Sequence, residues 1–201
     1  MIYVADRIIE NVPFLTEVDS KIGDGDHGIG MQIGFEKSKE ALGKIEPTTI
    51  NEVFKTIGMS MIKSMGGASG VIFGTMFSGA VKNAVPFEIL DAPKLTEILE
   101  HSLDAVKERG KAQVGDKTMI DAFEPAVQSL KENCSNKSFL ECLAHAEKAA
   151  LEGVENSKKY VAKFGRSKSL YERAIGFQDA GATSVWIIFK SMREWLEKAE
   201  G

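Results

Sequence analysis

Three aspartates lie close together near the start of the chain, in the stretch VDSKIGDGDHGIG of residues 18–30. Asp19, Asp24 and Asp26 follow the spacing D-x4-D-x-D, and the intervening glycines let the backbone bend so that the carboxylates can converge. Carboxylates without cysteine favour a hard cation such as Mg²⁺ or Ca²⁺. An EF-hand is excluded, because a loop beginning at Asp24 has Phe35 where that motif requires glutamate. The alternative is a solvated turn in which Asp24 and Asp26 cap the next helix.

Glycines also cluster in three further loops, around Gly66, Gly115 and Gly181, and each cluster lies next to the start of a predicted helix. The first turn of a helix has free N–H groups and the positive end of the helix dipole, which together suit a phosphate group. Mg²⁺ commonly binds through a few carboxylates together with substrate phosphates. A cluster of carboxylates next to glycine-rich helix starts is typical of a nucleotide site.

The stretch SMGGASG, residues 64–70, is the second candidate phosphate loop, with the hydroxyl of Ser69 as an additional donor. Its small residues are equally typical of a close contact between two helices. Sequence alone leaves both interpretations open.

The stretch RGKAQVGDKTM, residues 109–119, approaches the Walker A pattern. Asp116 separates the glycine from Lys117, and the stretch follows a predicted helix instead of a strand, so a P-loop is rejected. The segment could still place Lys111 or Lys117 near a phosphate, or it could be a solvated charged loop with Asp116 as a cap.

Residues 165–184 form the one long segment with little apolar periodicity. Such a segment inside a compact domain is usually functional or mobile. Arg166 within it is suited to a bidentate phosphate contact. A disordered surface loop is the alternative.

Apolar residues recur at helical spacing along the chain and predict about eight helices. The first helix reaches Val12, and the second opens after the aspartates and contains Met31. Thr49 is the expected cap of the third helix, Pro125 is expected to kink the sixth or to mark its late start, and the last helix carries apolar residues from Val185 onward. No alternating strand pattern is present, which predicts an all-α fold.

Composition narrows the function classes for this chain of 201 residues with a net charge of -4. The sequence lacks the basic stripe that would indicate nucleic-acid binding, and its apolar stretches are too short to span a membrane. No signal peptide is recognised. Cys134 and Cys142 are expected to be free thiols. We expect one cytoplasmic domain over residues 1–201, with no nucleic-acid or membrane partner.

The four segments, in this order, resemble the nucleotide-binding L subunit of dihydroxyacetone kinases, over nearly the whole chain to about Lys190. The resemblance implies a barrel of eight antiparallel helices with the nucleotide at one end, among the interhelical loops. It also implies ADP or ATP and two Mg²⁺ ions as cofactors.

The resemblance implies roles for the residues that match the family's motif positions. Asp19, Asp24 and Asp26 match the Mg²⁺ ligands. The positions that match nucleotide contacts are His27, Gly28, Ile29, Gly30, Ala68, Ser69, Gly110, Met119, Arg166, Asp179, Ala180 and Gly181. No catalytic residue is expected beyond the metal and the positioning of phosphate by Arg166.

The implied reaction is phosphoryl transfer from a Mg²⁺-bound nucleotide to a short ketose held on a separate substrate-binding subunit. Either ATP exchanges as a substrate, or ADP stays bound and is rephosphorylated by a phosphohistidine carrier protein of the phosphotransferase system. A separate L chain favours the second arrangement.

The sequence departs from the family pattern at Gly30, Phe177 and Ala180, where asparagine, histidine and proline are frequent. These departures leave the ketose open, with erythrulose as an alternative. Two rival functions also stay open: a metal-dependent phosphate-ester hydrolase, and a nucleotide-sensing regulator that binds a transcription factor.

Overall fold

The structure is a computed structural model that describes residues 1–201. It contains nine α-helices, one 3₁₀ helix and no strand, so the all-α prediction is confirmed. The α-helices are α1 (Ile2–Glu10), α2 (Val12–Ser20), α3 (His27–Leu42), α4 (Ile50–Ser64), α5 (Gly67–Ala80), α6 (Ala92–Gly110), α7 (Ile120–Asn133), α8 (Phe139–Ser157) and α9 (Ala180–Glu200); the 3₁₀ helix is Arg166–Ala174.

Helices that are consecutive in the chain pack against each other, and the last helix packs against the first. Each helix from α3 to α9 packs against the next one, α9 packs against α1, and α1 packs against α3. The additional helix α2 packs against α3 and α9. This order is that of a closed ring of eight helices, compatible with the barrel that the resemblance implies. None of the helices combines the length and the apolar character needed to cross a membrane.

One apolar cluster of 38 buried residues holds the helices together, with side chains from all nine of them. Aromatic rings form part of it: Phe35 and Phe77 pack edge to face with centroids 6.0 Å apart, and Phe54 lies 6.1 Å from Phe77. Burial of this apolar surface is the main favourable term in folding.

Two predicted helix boundaries differ from the observed ones. The first predicted helix is in fact two helices, because the chain breaks at Asn11 and α2 starts again with Pro13 in its first turn. Proline is favoured at a helix start, where its missing N–H is not needed. The last helix begins at Ala180, ahead of its first large apolar residue Val185. Its first turn consists of small residues, so the apolar pattern does not reveal where the helix starts.

Thr49 caps α4 as predicted. Its hydroxyl accepts a hydrogen bond from the Glu52 N–H at 3.3 Å, and the Glu52 carboxylate accepts one from the Thr49 N–H at 3.1 Å. This reciprocal pair satisfies two N–H groups that the helix itself leaves free.

Pro125 lies inside α7, which starts at Ile120, so the predicted late start is wrong. Proline cannot donate to the carbonyl of Asp121, four residues earlier. Gly153 of α8 packs against that carbonyl, and a Cβ atom at Gly153 would lie 2.0 Å from the Asp121 oxygen. The glycine therefore allows α7 and α8 to meet backbone to backbone.

We expect Gly153→Ala to lower the free energy of unfolding by about 3 kcal/mol, the upper part of the range for overpacking, because the two helices must separate. Urea unfolding followed by circular dichroism measures this change. Gly43→Ala is the matched control, since a Cβ there meets only ordinary contacts, the nearest at 3.5 Å. Equal stability of Gly153→Ala and the wild-type chain would show that the close packing is not required.

Candidate functional site

The three aspartates come together at the junction of α2 and α3. Asp19 lies in the last turn of α2, and Asp24 and Asp26 lie in the turn that follows. One carboxylate oxygen from each lies within 4.8 Å of the others. Three convergent carboxylates of this kind fit a hard divalent cation, which takes oxygen ligands.

Asp24 and Asp26 do not cap the next helix, the alternative that sequence left open. Asp26 is the residue before α3, yet its side chain makes no capping hydrogen bond. Asp24 instead forms an ion pair with Arg166, with Oδ2 and Nε 2.8 Å apart. Asp19 Oδ2 accepts a hydrogen bond from the His27 N–H at 3.3 Å. Most of the oxygen atoms in the cluster therefore stay available to a cation.

The surroundings of Asp26 favour its protonated form. Burial, followed by the negative charges of Asp24 and Asp19, raises the pKa of Asp26, and Arg166 opposes the shift. The carboxylate form of Asp26 therefore disfavours the folded state near neutral pH, and this penalty disappears as the pH falls and Asp26 becomes protonated. A bound cation would relieve the same penalty.

His27, at the start of α3, is buried and points into the protein. Its Nε2 lies 2.8 Å from the hydroxyl of Ser184 in α9, and its ring centroid lies 5.9 Å from that of Phe73. Burial lowers the pKa of His27 to about 4, although the charge of Asp19 acts in the opposite direction. The imidazole is therefore neutral and joins α3 to α9.

The next three residues have different surroundings. Gly28 packs against α2, where a Cβ atom would lie 2.3 Å from the hydroxyl of Thr16. Ile29 is exposed, and Gly30 lies beside the methyl group of Met65, 3.9 Å from where its Cβ would be. The start of α3 is thus fixed on one side and open on the other.

The second segment leaves the N-terminus of α5 open. Gly66 precedes the helix without a side-chain cap, and no atom lies within 4 Å of a Cβ built at Gly66 or Gly67. Ala68 and Ser69 follow in the first turn, where helical N–H groups have no partner within the helix. The close contact between helices expected as the alternative occurs further along, where Gly58 of α4 meets Gly74 of α5.

A cavity of about 400 Å³ lies beside this terminus. Ala68, Gly110 and Met119, from the second and third segments, line it together. The other lining residues are Val71, Ile72, Val106, Arg109, Ala112, Thr118, Ile120, Phe164 and Gly165. The lining is mainly apolar, as is usual for a small-molecule pocket.

Lys117 does not face this cavity, so the suggestion that it reaches a phosphate is wrong. It is 1% exposed, and its ammonium group donates hydrogen bonds to the carbonyls of Ser157 and Phe177. Its backbone has the left-handed φ of 58°, which a sequence pattern does not reveal. Lys111 is exposed at the end of α6.

Residues 158–179, here called the cover segment, connect α8 to α9. Phe164 and Gly165 line the cavity, and the 3₁₀ helix that follows starts with Arg166, the partner of Asp24. The segment is therefore neither disordered nor without structure. It bridges the cavity and the aspartate cluster.

The start of α9 completes the site. The Asp179 side chain accepts a hydrogen bond from the Ala182 N–H at 2.7 Å, and Ala180 is buried. Burial raises the pKa of Asp179 to about 7. A Cβ at Gly181 would lie 3.3 Å from the Cβ of Met119, so the third and fourth segments are in direct contact.

Sequence reasoning missed the carboxylate of Asp121 and placed Asp116 in a solvated loop, whereas both are buried. Asp121 is buried and accepts hydrogen bonds from the N–H groups of Gly115 and Thr118, at 2.6 and 2.7 Å. Asp116 is also buried, 2.6 Å from the ammonium group of Lys163 in the cover segment. The available signal for Asp121 was its position three residues after Thr118, a spacing typical of a helix N-terminus.

Comparisons with known proteins find relatives over most of the chain. Residues 21–194 match the DAK2 domain family. The chain is 41% identical to "PEP-dependent dihydroxyacetone kinase 1, ADP-binding subunit DhaL" of Listeria innocua, covering 93% of this chain and 89% of the relative. It is 38% identical to the ADP-binding subunit DhaL of the PEP-dependent dihydroxyacetone kinase of Escherichia coli, covering 89% and 86%.

The fold is also similar to a solved structure, the dihydroxyacetone kinase of C. freundii in complex with AMP-PNP and Mg²⁺. The TM-score is 0.74 at 27% identity, over 96% of this chain and 32% of that longer chain. The match over most of the chain, in both sequence and fold, shows that this protein belongs to the DAK2 domain family, together with the ADP-binding subunits of dihydroxyacetone kinases.

Proposed function

We propose that this chain, acting as one domain, is the nucleotide-binding subunit of a dihydroxyacetone kinase. It binds ADP or ATP with Mg²⁺ and presents a phosphoryl group to a short ketose that a separate subunit holds. The observation that carries the proposal is the aspartate cluster and its position next to an apolar cavity. Arg166 pairs with Asp24 of the cluster and directly follows Gly165, which lines the cavity.

The cavity is the proposed position of the adenine base. Its volume of about 400 Å³ lies within the usual range for ligand pockets, and its apolar walls suit a flat aromatic ring. Ala68, Gly110 and Met119 would contact the base or ribose. Gly110 presents no side chain, which leaves the cavity mouth clear.

The phosphates would lie between the open start of α5 and the aspartate cluster. N–H groups near Ala68 and Ser69 would donate to phosphate oxygens, and the start of α3, from His27 to Gly30, would form the opposite side. Arg166 would offset phosphate charge. Asp179, Ala180 and Gly181 would support this arrangement from the start of α9.

Asp19, Asp24 and Asp26 would hold the metal. Two Mg²⁺ ions are proposed, since three carboxylates and a diphosphate together carry more negative charge than one divalent cation can balance. Bound Mg²⁺ supplies charge neutralisation on the phosphate oxygens during transfer. The chain's own residues contribute positioning and electrostatics, and no protein nucleophile is required.

A partner surface is supported by exposed apolar side chains on the segments that form the site. Ile29, Tyr171 and Phe177 are 52%, 71% and 42% exposed. We propose that the ketose-binding subunit docks here and that ADP stays bound between turnovers. A phosphohistidine carrier protein would rephosphorylate it, in keeping with the PEP-dependent relatives. The unpaired Cys134 and Cys142 fit a cytoplasmic location.

Reconstitution tests the function directly. The purified chain is mixed with Mg²⁺, ADP, a dihydroxyacetone-binding subunit and a PEP-driven phosphocarrier system, and formation of dihydroxyacetone phosphate is measured. We expect product only when this chain and the ketose-binding subunit are both present. Rapid hydrolysis of ATP or simple phosphate esters by the chain alone would instead indicate a hydrolase.

Replacing Asp26 by asparagine should have two opposite effects. Without a cation, Asp26→Asn should unfold at an equal or higher temperature, because it removes a repelled carboxylate. Mg²⁺-dependent ADP binding should weaken at least about tenfold, or ~1.4 kcal/mol, as measured by isothermal titration calorimetry.

Glu17→Gln is the control for Asp26→Asn, because Glu17 is a neighbouring acid on α2 with a side chain that is 70% exposed. It should leave both quantities unchanged. Unaltered Mg²⁺-ADP affinity in Asp26→Asn would remove this residue from the metal site.

A bulky side chain at the cavity should block the nucleotide. We expect Ala68→Trp to lower ADP affinity at least about tenfold, since the exposed Ala68 lines the cavity and its replacement need not disturb the core. Ala144→Trp, at an exposed position on α8, serves as the control. If both variants bind a fluorescent ADP analogue like the wild-type chain, the base lies elsewhere.

A further inference from the structure

Lys117 is among the largest fully buried side chains of the protein, with 1% of its surface exposed. Burial lowers the pKa of its ammonium group, and the charges of Asp179 and Asp121 oppose that shift. Lysine is almost never buried without partners, because an unpaired charge inside a protein is costly. The partners of Lys117 therefore indicate what it does.

Those partners join the two ends of the cover segment. Lys117 Nζ donates to the carbonyl of Ser157, the last residue of α8, at 2.7 Å, and to the carbonyl of Phe177, shortly before α9. One ammonium group thus connects the residue before the cover segment with a residue near its end.

Two further hydrogen bonds, each donated by a backbone N–H group, surround this connection. The Gly176 N–H donates to the Lys158 carbonyl at 2.7 Å, and the Asp179 N–H donates to the Ser157 hydroxyl at 3.0 Å. The preceding residue, Asp116, holds the segment at a second point, since its carbonyl accepts the Lys163 N–H at 3.1 Å. The cover segment is thus held at its base and at one point along its length.

The cover segment has little apolar burial of its own. Ala162, Ser167 and Ala174 are its only buried residues. Its ion pair between Arg166 and Asp24 joins two exposed side chains, and such pairs contribute little free energy. Its position therefore depends on the polar contacts at its base, where Lys117 makes the most deeply buried ones.

We propose that Lys117 is a positioning residue that holds the cover segment, so that Phe164 closes the cavity and Arg166 faces the aspartate cluster. The effect of Lys117 on nucleotide binding rests on the proposed function, whereas its effect on the cover segment does not. Lys117 acts through the segment and touches no ligand.

Hydrogen–deuterium exchange of the full chain without nucleotide tests the first part. Lys117→Met keeps the length of the side chain but removes the donors, so peptides from residues 158–179 should exchange at least about tenfold faster. Peptides from α4 should exchange at the wild-type rate. Lys159→Met is the control, because the exposed Lys159 binds only Asn156 of the preceding helix, at 2.8 Å.

Lys117→Arg keeps the charge and the donors and should restore a substantial part of the protection. Wild-type exchange of the segment in Lys117→Met would overturn the proposal. Loss of protection throughout the chain in both Lys117 variants would also overturn it, since Lys117 would then support the whole fold.

The rate of release of a fluorescent ADP analogue in the presence of Mg²⁺ tests the second part. Release should be at least about tenfold faster from Lys117→Met than from Lys159→Met, with Lys117→Arg in between. A mobile segment with unchanged release would show that Lys117 does not position the site. If the wild-type chain binds no ADP, the proposed function fails, while the exchange result still decides whether Lys117 holds the segment.

Discussion

Repulsion among three carboxylates at the junction of α2 and α3 is the constraint on which the rest of the site depends. One oxygen from each lies within 4.8 Å of the others, and burial together with the charges of Asp24 and Asp19 raises the pKa of Asp26. Arg166 supplies one countercharge, but its side chain is 78% exposed, so solvent screens most of the interaction. The cluster therefore favours a divalent cation, and a cation placed there favours phosphate.

The helical ring provides a rigid frame, whereas the loops at its ends carry the chemistry. Three of the four segments meet through polar contacts, and the second segment lines the cavity together with the third. His27 binds Ser184, Lys117 binds the carbonyl of Phe177, and Arg166 pairs with Asp24. The aspartate cluster, the open helix terminus and the apolar cavity are therefore held in a common arrangement.

Much of the helical fold could be predicted from apolar spacing, and the aspartate cluster from composition and spacing. The break before α2 was missed because Val12 continues the apolar pattern of α1. The burial of Lys117 could not be predicted from sequence, since lysine side chains are almost never fully buried. The cavity could not be predicted, since residues such as Ile72 and Val106 are indistinguishable in sequence from ordinary core residues.

A crystal structure of the chain grown with Mg²⁺ and ADP tests the central claim most directly. The account predicts metal density coordinated by Asp19, Asp24 and Asp26 and by phosphate oxygens, with adenine in the cavity beside Met119. Bound ADP with its metal held by other residues, or phosphates distant from the three aspartates, would contradict it.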